Sequence, residues 1–209
     1  MLVLADMNIA LEMSRRPYRM GRRAAAAVAT GDRILQATIE LHAERWHDQV
    51  SLEDIGARAG VTVQTVLRRF GSKEALVDAA AERGAALVVE QRSRAVAGDV
   101  RGAIDVLLDH YDEWGAVTLR LLAQEDRVPQ FRRITDRGRE LHAEWVRATF
   151  RPLVHGPELA EPLESQLVAV TDIQVWKLLH VDRGLDRAAT GAAMVGMIEA
   201  LVERKSRDV

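Results

Sequence analysis

The chain of 209 residues contains no cysteine. Disulfides and thiolate metal sites are therefore excluded, in agreement with a reducing, cytoplasmic setting. No stretch approaches the roughly 18 consecutive apolar residues that a membrane span needs, so no membrane partner is expected. The opening "MLVLADMNIALEM" is apolar, but no basic residue precedes its apolar run, and it carries Asp6 and Glu12. It reads as a floppy leader, with Met7, Met13 and Met20 as further possible starts, and not as a secretory signal. Alternating apolar and polar runs of the kind strands require are missing, as are low-complexity blocks and repeats. The echo between "LHAERW" (41–46) and "LHAEWV" (141–146) has different flanks and is read as chance. Also missing are a Gly-rich phosphate loop, a G-x-S-x-G elbow, a cysteine nucleophile and an H-E-x-x-H spacing. No catalytic residue, metal or cofactor is assigned on this basis. A hydrolase assembled from scattered His and Asp is the enzyme alternative, and nothing argues for it.

Net charge is nearly absent too, at −2, but the average hides a division. Residues 14–73 hold 11 Arg and Lys against 6 Asp and Glu, whereas residues 74–209 hold 18 against 23. A basic module joined to an acidic one is expected, the basic one being the candidate for a polyanion.

What is present is helical periodicity, and the chain reads as all-α. A first helix is predicted over about 32–44, with Ile34, Leu35, Thr38, Ile39 and Leu41 along one stripe and Thr30 or Asp32 as its cap. Later helices are expected over about 73–96, 100–114, 116–126, 128–150, 158–182 and 187–204. Gly98-Asp99, Gly115, Pro129, "RPLVHGP" and "RGLD" are read as their separators.

The densest signal is "SLEDIGARAGVTVQTVLRRFGSKEAL" (51–76). Ser51 followed three positions later by Asp54 forms a capping-box variant, starting a helix at Leu52. Leu52, Ile55 and Ala59 share its buried side, and Gly60 supplies the left-handed residue that ends it. Thr62 then caps a second short helix. There Val63, Val66, Leu67 and Phe70 are spaced for packing, leaving Thr62, Gln64, Thr65, Arg68 and Arg69 on the other face. Two short helices around a tight turn make a helix-turn-helix, whose second helix can enter a DNA major groove. Gln and Arg match adenine and guanine edges bidentately, and Thr offers a hydroxyl and a methyl. Ser72 caps a third helix with Lys73 at its start, a place suited to a phosphate.

Residues 33–77, "RILQATIELHAERWHDQVSLEDIGARAGVTVQTVLRRFGSKEALV", closely resemble the DNA-binding domain of TetR-type (TetR/AcrR) transcriptional regulators. The resemblance implies an N-terminal helix-turn-helix domain followed by a C-terminal helical ligand-binding and dimerisation domain. The divisions expected are 1–26 as a flexible basic arm, 27–87 as the DNA-binding domain and 88–209 as the regulatory domain. The implied function is a repressor that binds a palindromic double-stranded operator as a homodimer and leaves it when a small effector binds. The family's operator contacts fall on Thr62, Val63, Gln64, Thr65, Leu67, Arg68 and Arg69, with Lys73 on a phosphate and Ser51 at the preceding cap. Leu67 departs from the tyrosine usual there; it can touch a thymine methyl or simply pack. Upstream, "SRRPYRMGRR" (14–23) is either a solvated tail or a minor-groove arm, with Arg22 and Arg23 its candidate contacts. A ligand-free nucleoid protein is the remaining alternative, told apart by sequence-independent binding.

In the acidic half Trp114, Trp145 and Trp176 sit near His110, Tyr111, His142, Asp172 and His180. These side chains suit either plain core or a mostly apolar effector pocket; the candidate ligand residues are His110, Tyr111, Trp114, His142, Trp145, Asp172 and Trp176. The histidines lack metal-ligand spacing. Small residues Ala192, Ala193 and Gly196 near the C-terminus would allow the close helix approach of a dimeric four-helix bundle.

Overall fold

Capping chemistry and apolar stripes divide the chain into helices. The computed structural model describes residues 25–153 and 161–207, which form nine α-helices and no strand. They are α1 (25–44), α2 (Leu52–Ala59), α3 (Val63–Phe70), α4 (Lys73–Arg92), α5 (Val100–Leu122), α6 (Pro129–Phe150), α7 (Glu161–Val170), α8 (Ile173–Trp176) and α9 (Arg187–Arg207). The basic arm, including Arg22 and Arg23, lies outside the described residues.

Two apolar cores result. Ile34, Ala37 and Leu41 of α1 meet Ile55, Ala59, Val66 and Leu76 to hold α2 and α3 in place. The larger core gathers Ile104, Leu107 and Leu108 of α5 with Val146, Phe150, Leu167, Met194 and Ile198. There α5 packs against α6 and α9, and α7 against both α6 and α9. Helix α4 is unbroken from Leu76 in the first core to Arg92 beside the second.

Several expected boundaries are corrected. Helix α1 starts earlier than 32, and the Thr30 hydroxyl donates to Ala26 O inside the helix at 2.8 Å and caps nothing. The helix expected to reach 96 ends at Arg92. Gly115 lies in the interior of α5 and does not separate two helices. A Cβ there would lie 2.9 Å from the Trp176 ring, so the glycine marks close approach between helices. The single helix expected over 158–182 is interrupted at Thr171, where Asp172 caps α8 by accepting from Gln174 N at 2.8 Å. Tyr111 donates its hydroxyl to Thr171 O at 2.6 Å across the break. After Trp176 the chain widens into a π-helical turn, Lys177–Asp182.

Side chains also join the two cores. Arg120 of α5 donates to Ala43 O at 3.0 Å, and Gln124 accepts from His47 N at 2.9 Å. Gln130 of α6 donates to Glu74 O and Asp78 of α4. The guanidiniums of Arg120 and Arg127 lie over the Trp46 ring, 5.8 and 5.6 Å from its centroid.

Candidate nucleic-acid interface and ligand cavity

The interface is assembled from local caps. Ser51 Oγ accepts from Asp54 N at 3.0 Å while Asp54 Oδ2 accepts from Ser51 N at 3.1 Å, fixing the start of α2. Gly60 then turns the chain at φ 68°, a left-handed conformation in which a side chain would be strained. Thr62 Oγ1 accepts from Thr65 N and begins α3. Ser51 and Thr62 thus fix where the two helices begin.

Helix α3 anchors itself through fully buried Val66, with Val63 and Phe70 half-buried. Leu67, grouped by spacing with that packing set, is instead 39% exposed and lies on the outer surface. Thr62, Gln64, Arg68 and Arg69 are exposed around it, with Thr65 half-buried. Most neighbouring bases are already engaged within the chain. Arg58 pairs with Glu40 and Glu44, Arg45 with Asp54, and Arg33 donates to Ala59 O. Arg69 lies back toward α1 beside Gly31, its guanidinium 5.9 Å from the Phe70 ring. Arg68 is left as the outward base at the centre of the face. Lys73 is half-buried, donating from Nζ to His47 O at 2.8 Å, and burial lowers its pKa.

Between the two cores lies a cavity of about 720 Å³. Its wall runs from Thr38 and His42 on α1, past Val77 to Arg92 on α4, to α5, α6 and the start of α8. Of the seven candidate ligand residues, His110, Tyr111, Trp114, His142 and Asp172 line it. Trp145 and Trp176 stand behind the wall. Trp145 donates from Nε1 to Arg92 O and stacks on His142, while Trp176 packs against Tyr111 and His180.

Arg92 carries no signal in the sequence, since an arginine in the last turn of a helix ordinarily faces water. Here it is only 8% exposed, its guanidinium over the rings of Tyr111 and Trp145 at 5.9 and 5.3 Å. Its Nη1 donates to His142 Nδ1 at 3.0 Å. Because guanidinium nitrogens only donate, His142 must accept at Nδ1 and carry its proton on Nε2, which faces Thr171 Oγ1 at 3.1 Å. Burial, reinforced by the Arg92 charge, lowers the His142 pKa to about 3 and that of His110 to about 2. Both imidazoles are neutral at physiological pH. Tyr111 is shifted upward by burial, which keeps its hydroxyl protonated for the bond to Thr171.

Known proteins share both the local motif and the wider fold. Residues 34–80, covering most of α1 through the first turns of α4, match the model of bacterial regulatory proteins of the tetR family. Residues 34–80 thus form a DNA-binding domain of the tetR family. Likeness of fold extends beyond the matched domain. A TetR-family transcriptional regulator of Streptomyces coelicolor is 20% identical over 82% of this chain and 81% of its own, with a TM-score of 0.63. A transcriptional regulator of a Rhodococcus species is 17% identical over 83% of this chain and 96% of its own, at 0.68. A protein of Saccharomonospora viridis described as a transcriptional regulator, in complex with choline, is 23% identical over 81% and 95%, at 0.61. No curated protein matches by sequence. The chain is thus a DNA-binding transcriptional regulator of helix-turn-helix type. Among the described residues no helix is long and apolar enough to cross a membrane.

Proposed function

We propose that this TetR-family regulator is a cytoplasmic repressor that binds a near-palindromic operator as a homodimer and leaves it when a small, mostly apolar effector enters the cavity. The observation that carries this reading is the continuous α4, which begins beside the recognition helix and ends at the cavity wall. Residues 27–87 form the reading module in this account and 88–209 the sensing and pairing module. The choline-bound Saccharomonospora viridis structure supports occupation of such a fold by a small molecule.

On the DNA side, Gln64, Thr65 and Arg68 face base edges, Leu67 meets a thymine methyl, and Thr62, Val63 and Arg69 flank them. Lys73 spends one of its three N–H groups on His47 O, leaving two for a phosphate at the start of α4. Arg68→Ala should weaken operator binding by about 1–3 kcal/mol and relax specificity at one base pair. Lys73→Ala should weaken operator and random duplexes alike and reduce the salt slope by about one unit per subunit. Salt-dependent anisotropy titrations separate the two; equal losses on both duplexes for Arg68→Ala would reassign it to a phosphate.

Pairing is proposed through α7 and α9, which pack together and leave small side chains outward. Ser165 and Ala169 on α7, and Ala189, Ala192, Gly196 and Ala200 on α9, are exposed at helical spacing. Such a surface lets a second pair of helices approach closely. Light scattering should give twice the chain mass, and Gly196→Arg should shift it toward one chain and abolish protection of paired half-sites. A monomer that protects one asymmetric site would overturn the homodimer.

Release needs differential binding. A tenfold loss of operator affinity requires the effector to prefer the released arrangement by about 1.4 kcal/mol. Tilt of α4, which changes the separation of the paired recognition helices, is the proposed two-state element.

A further inference from the structure

We propose that the molecule taken by the cavity carries a carboxylate, which pairs with Arg92, on a mostly apolar body; this rests on the reading of the cavity as an effector site. The lining arginines differ in how their charge is met. Arg133 faces Asp78, Arg137 pairs with Glu140, and Arg139 pairs with Glu125 and Asp136. Among the described residues Arg92 has no such ion pair; only the Tyr111 hydroxyl and, without direct pairing, the Asp172 carboxylate act on its charge. Its Nη1 is spent on neutral His142, and its buried Nε has no acceptor. Asp172 lines the same cavity, but it caps α8 and forms no ion pair with the guanidinium. The ring faces of Tyr111 and Trp145 offset part of the buried charge, but they offer Nε no in-plane lone pair.

A buried guanidinium with an unmet N–H suits a carboxylate, whose planar anion accepts a charge-assisted hydrogen bond from it. His110 adds a second unmet group: its buried Nδ1 has no partner and it lines the same wall. As the Nδ1–H tautomer it can donate to a carboxylate oxygen without adding charge. One cation and one neutral donor suit a monoanion. Beyond them Val88, Trp114, Val117, Leu121, Ile134 and Leu141 supply apolar wall, with room in about 720 Å³ for a chain or fused rings. A cationic ligand would meet like charge at the buried end, and a neutral carbonyl could accept from Nε but would leave the buried charge uncompensated.

The test uses the full chain and two matched probe series: decanoate, decanamide and decyltrimethylammonium, then naphthoate and naphthamide. Binding is read by tryptophan fluorescence and by the shift in Tm. On the unaltered protein at neutral pH, carboxylates should bind about tenfold or more tighter than their amides, with the ammonium weakest. Arg92→Gln should bring acid and amide to parity, and Arg92→Lys should keep part of the preference. An amide that binds the unaltered protein as tightly as its acid overturns the carboxylate assignment and leaves the effector cavity standing. Failure of every probe to bind overturns both. The acid-to-amide ratio is measured on the native chain, so it decides the question even if an Arg92 variant fails to fold.

Discussion

Phe131→Ala should lower the free energy of unfolding by about 3–5 kcal/mol, the usual loss when a buried aromatic ring is replaced by a methyl group. Phe131 belongs to α6 but is 0% exposed because its ring reaches across to the DNA-binding module. There it meets His47 and His42 edge-on, with ring centroids 5.0 and 5.9 Å away. The cavity left by its removal would open between the modules. Urea unfolding checks the magnitude; a loss under about 1 kcal/mol would mean that the site collapses or is loosely packed. Hydrogen exchange should also show α1 opening more readily than α5, since the second core lies elsewhere. Equal loosening of both cores would contradict the placement of Phe131 as a junction.

Acid should destabilise this protein well before its carboxylates titrate. Burial is the leading cause that lowers the pKa of His42 to about 4, His142 to about 3 and His110 to about 2, and it lowers that of His47 too. In the unfolded chain these imidazoles return to about 6.5. Between the two values the unfolded chain holds protons that the folded one refuses, so stability must fall as pH falls. The contribution is complete above the unfolded pKa and is lost progressively below it. Taking about 1–2 kcal/mol for each of the three most shifted histidines, stability should drop by on the order of 4 kcal/mol between about pH 7.5 and about pH 5. Ion-paired carboxylates such as Glu125, held low by Arg139, lose their contribution only at lower pH. Urea midpoints across this range measure the drop, and His42→Gln should remove about a third of it. Stability that stays level or rises toward pH 5 would show that these imidazoles are not buried neutral.

Much of the DNA-reading module was legible because its signals are local. Ser51 with Asp54, Gly60 and Thr62 each act within three residues of their partners, so spacing alone reveals the caps that the structure contains. The apolar stripe of α1 was legible for the same reason, although its start was not: Thr30 suits a cap and an interior back-bond equally well. Leu67 shows the limit of periodicity. At the margin of the apolar face, spacing could not decide whether it turns in or out. Gly115 has two meanings in sequence, turn and close contact, and only Trp176, 61 positions later, selects the second. Arg92 and Phe131 gave no local sign, because their surroundings come from distant helices. His110, His142 and Trp114, which line the cavity, were therefore visible as candidates, while the cation at its buried end was not.

The central claim is that α3 reads DNA sequence from paired subunits, and selection of bound duplexes from a randomised pool tests it most directly. The expected result is enrichment of one two-fold symmetric site with half-sites about one helical turn apart, or a multiple of it, and loss of preference at one base pair per half-site when Arg68→Ala is used. Recovery of duplexes with no shared sequence, or the same site from both proteins with undiminished preference, would contradict it.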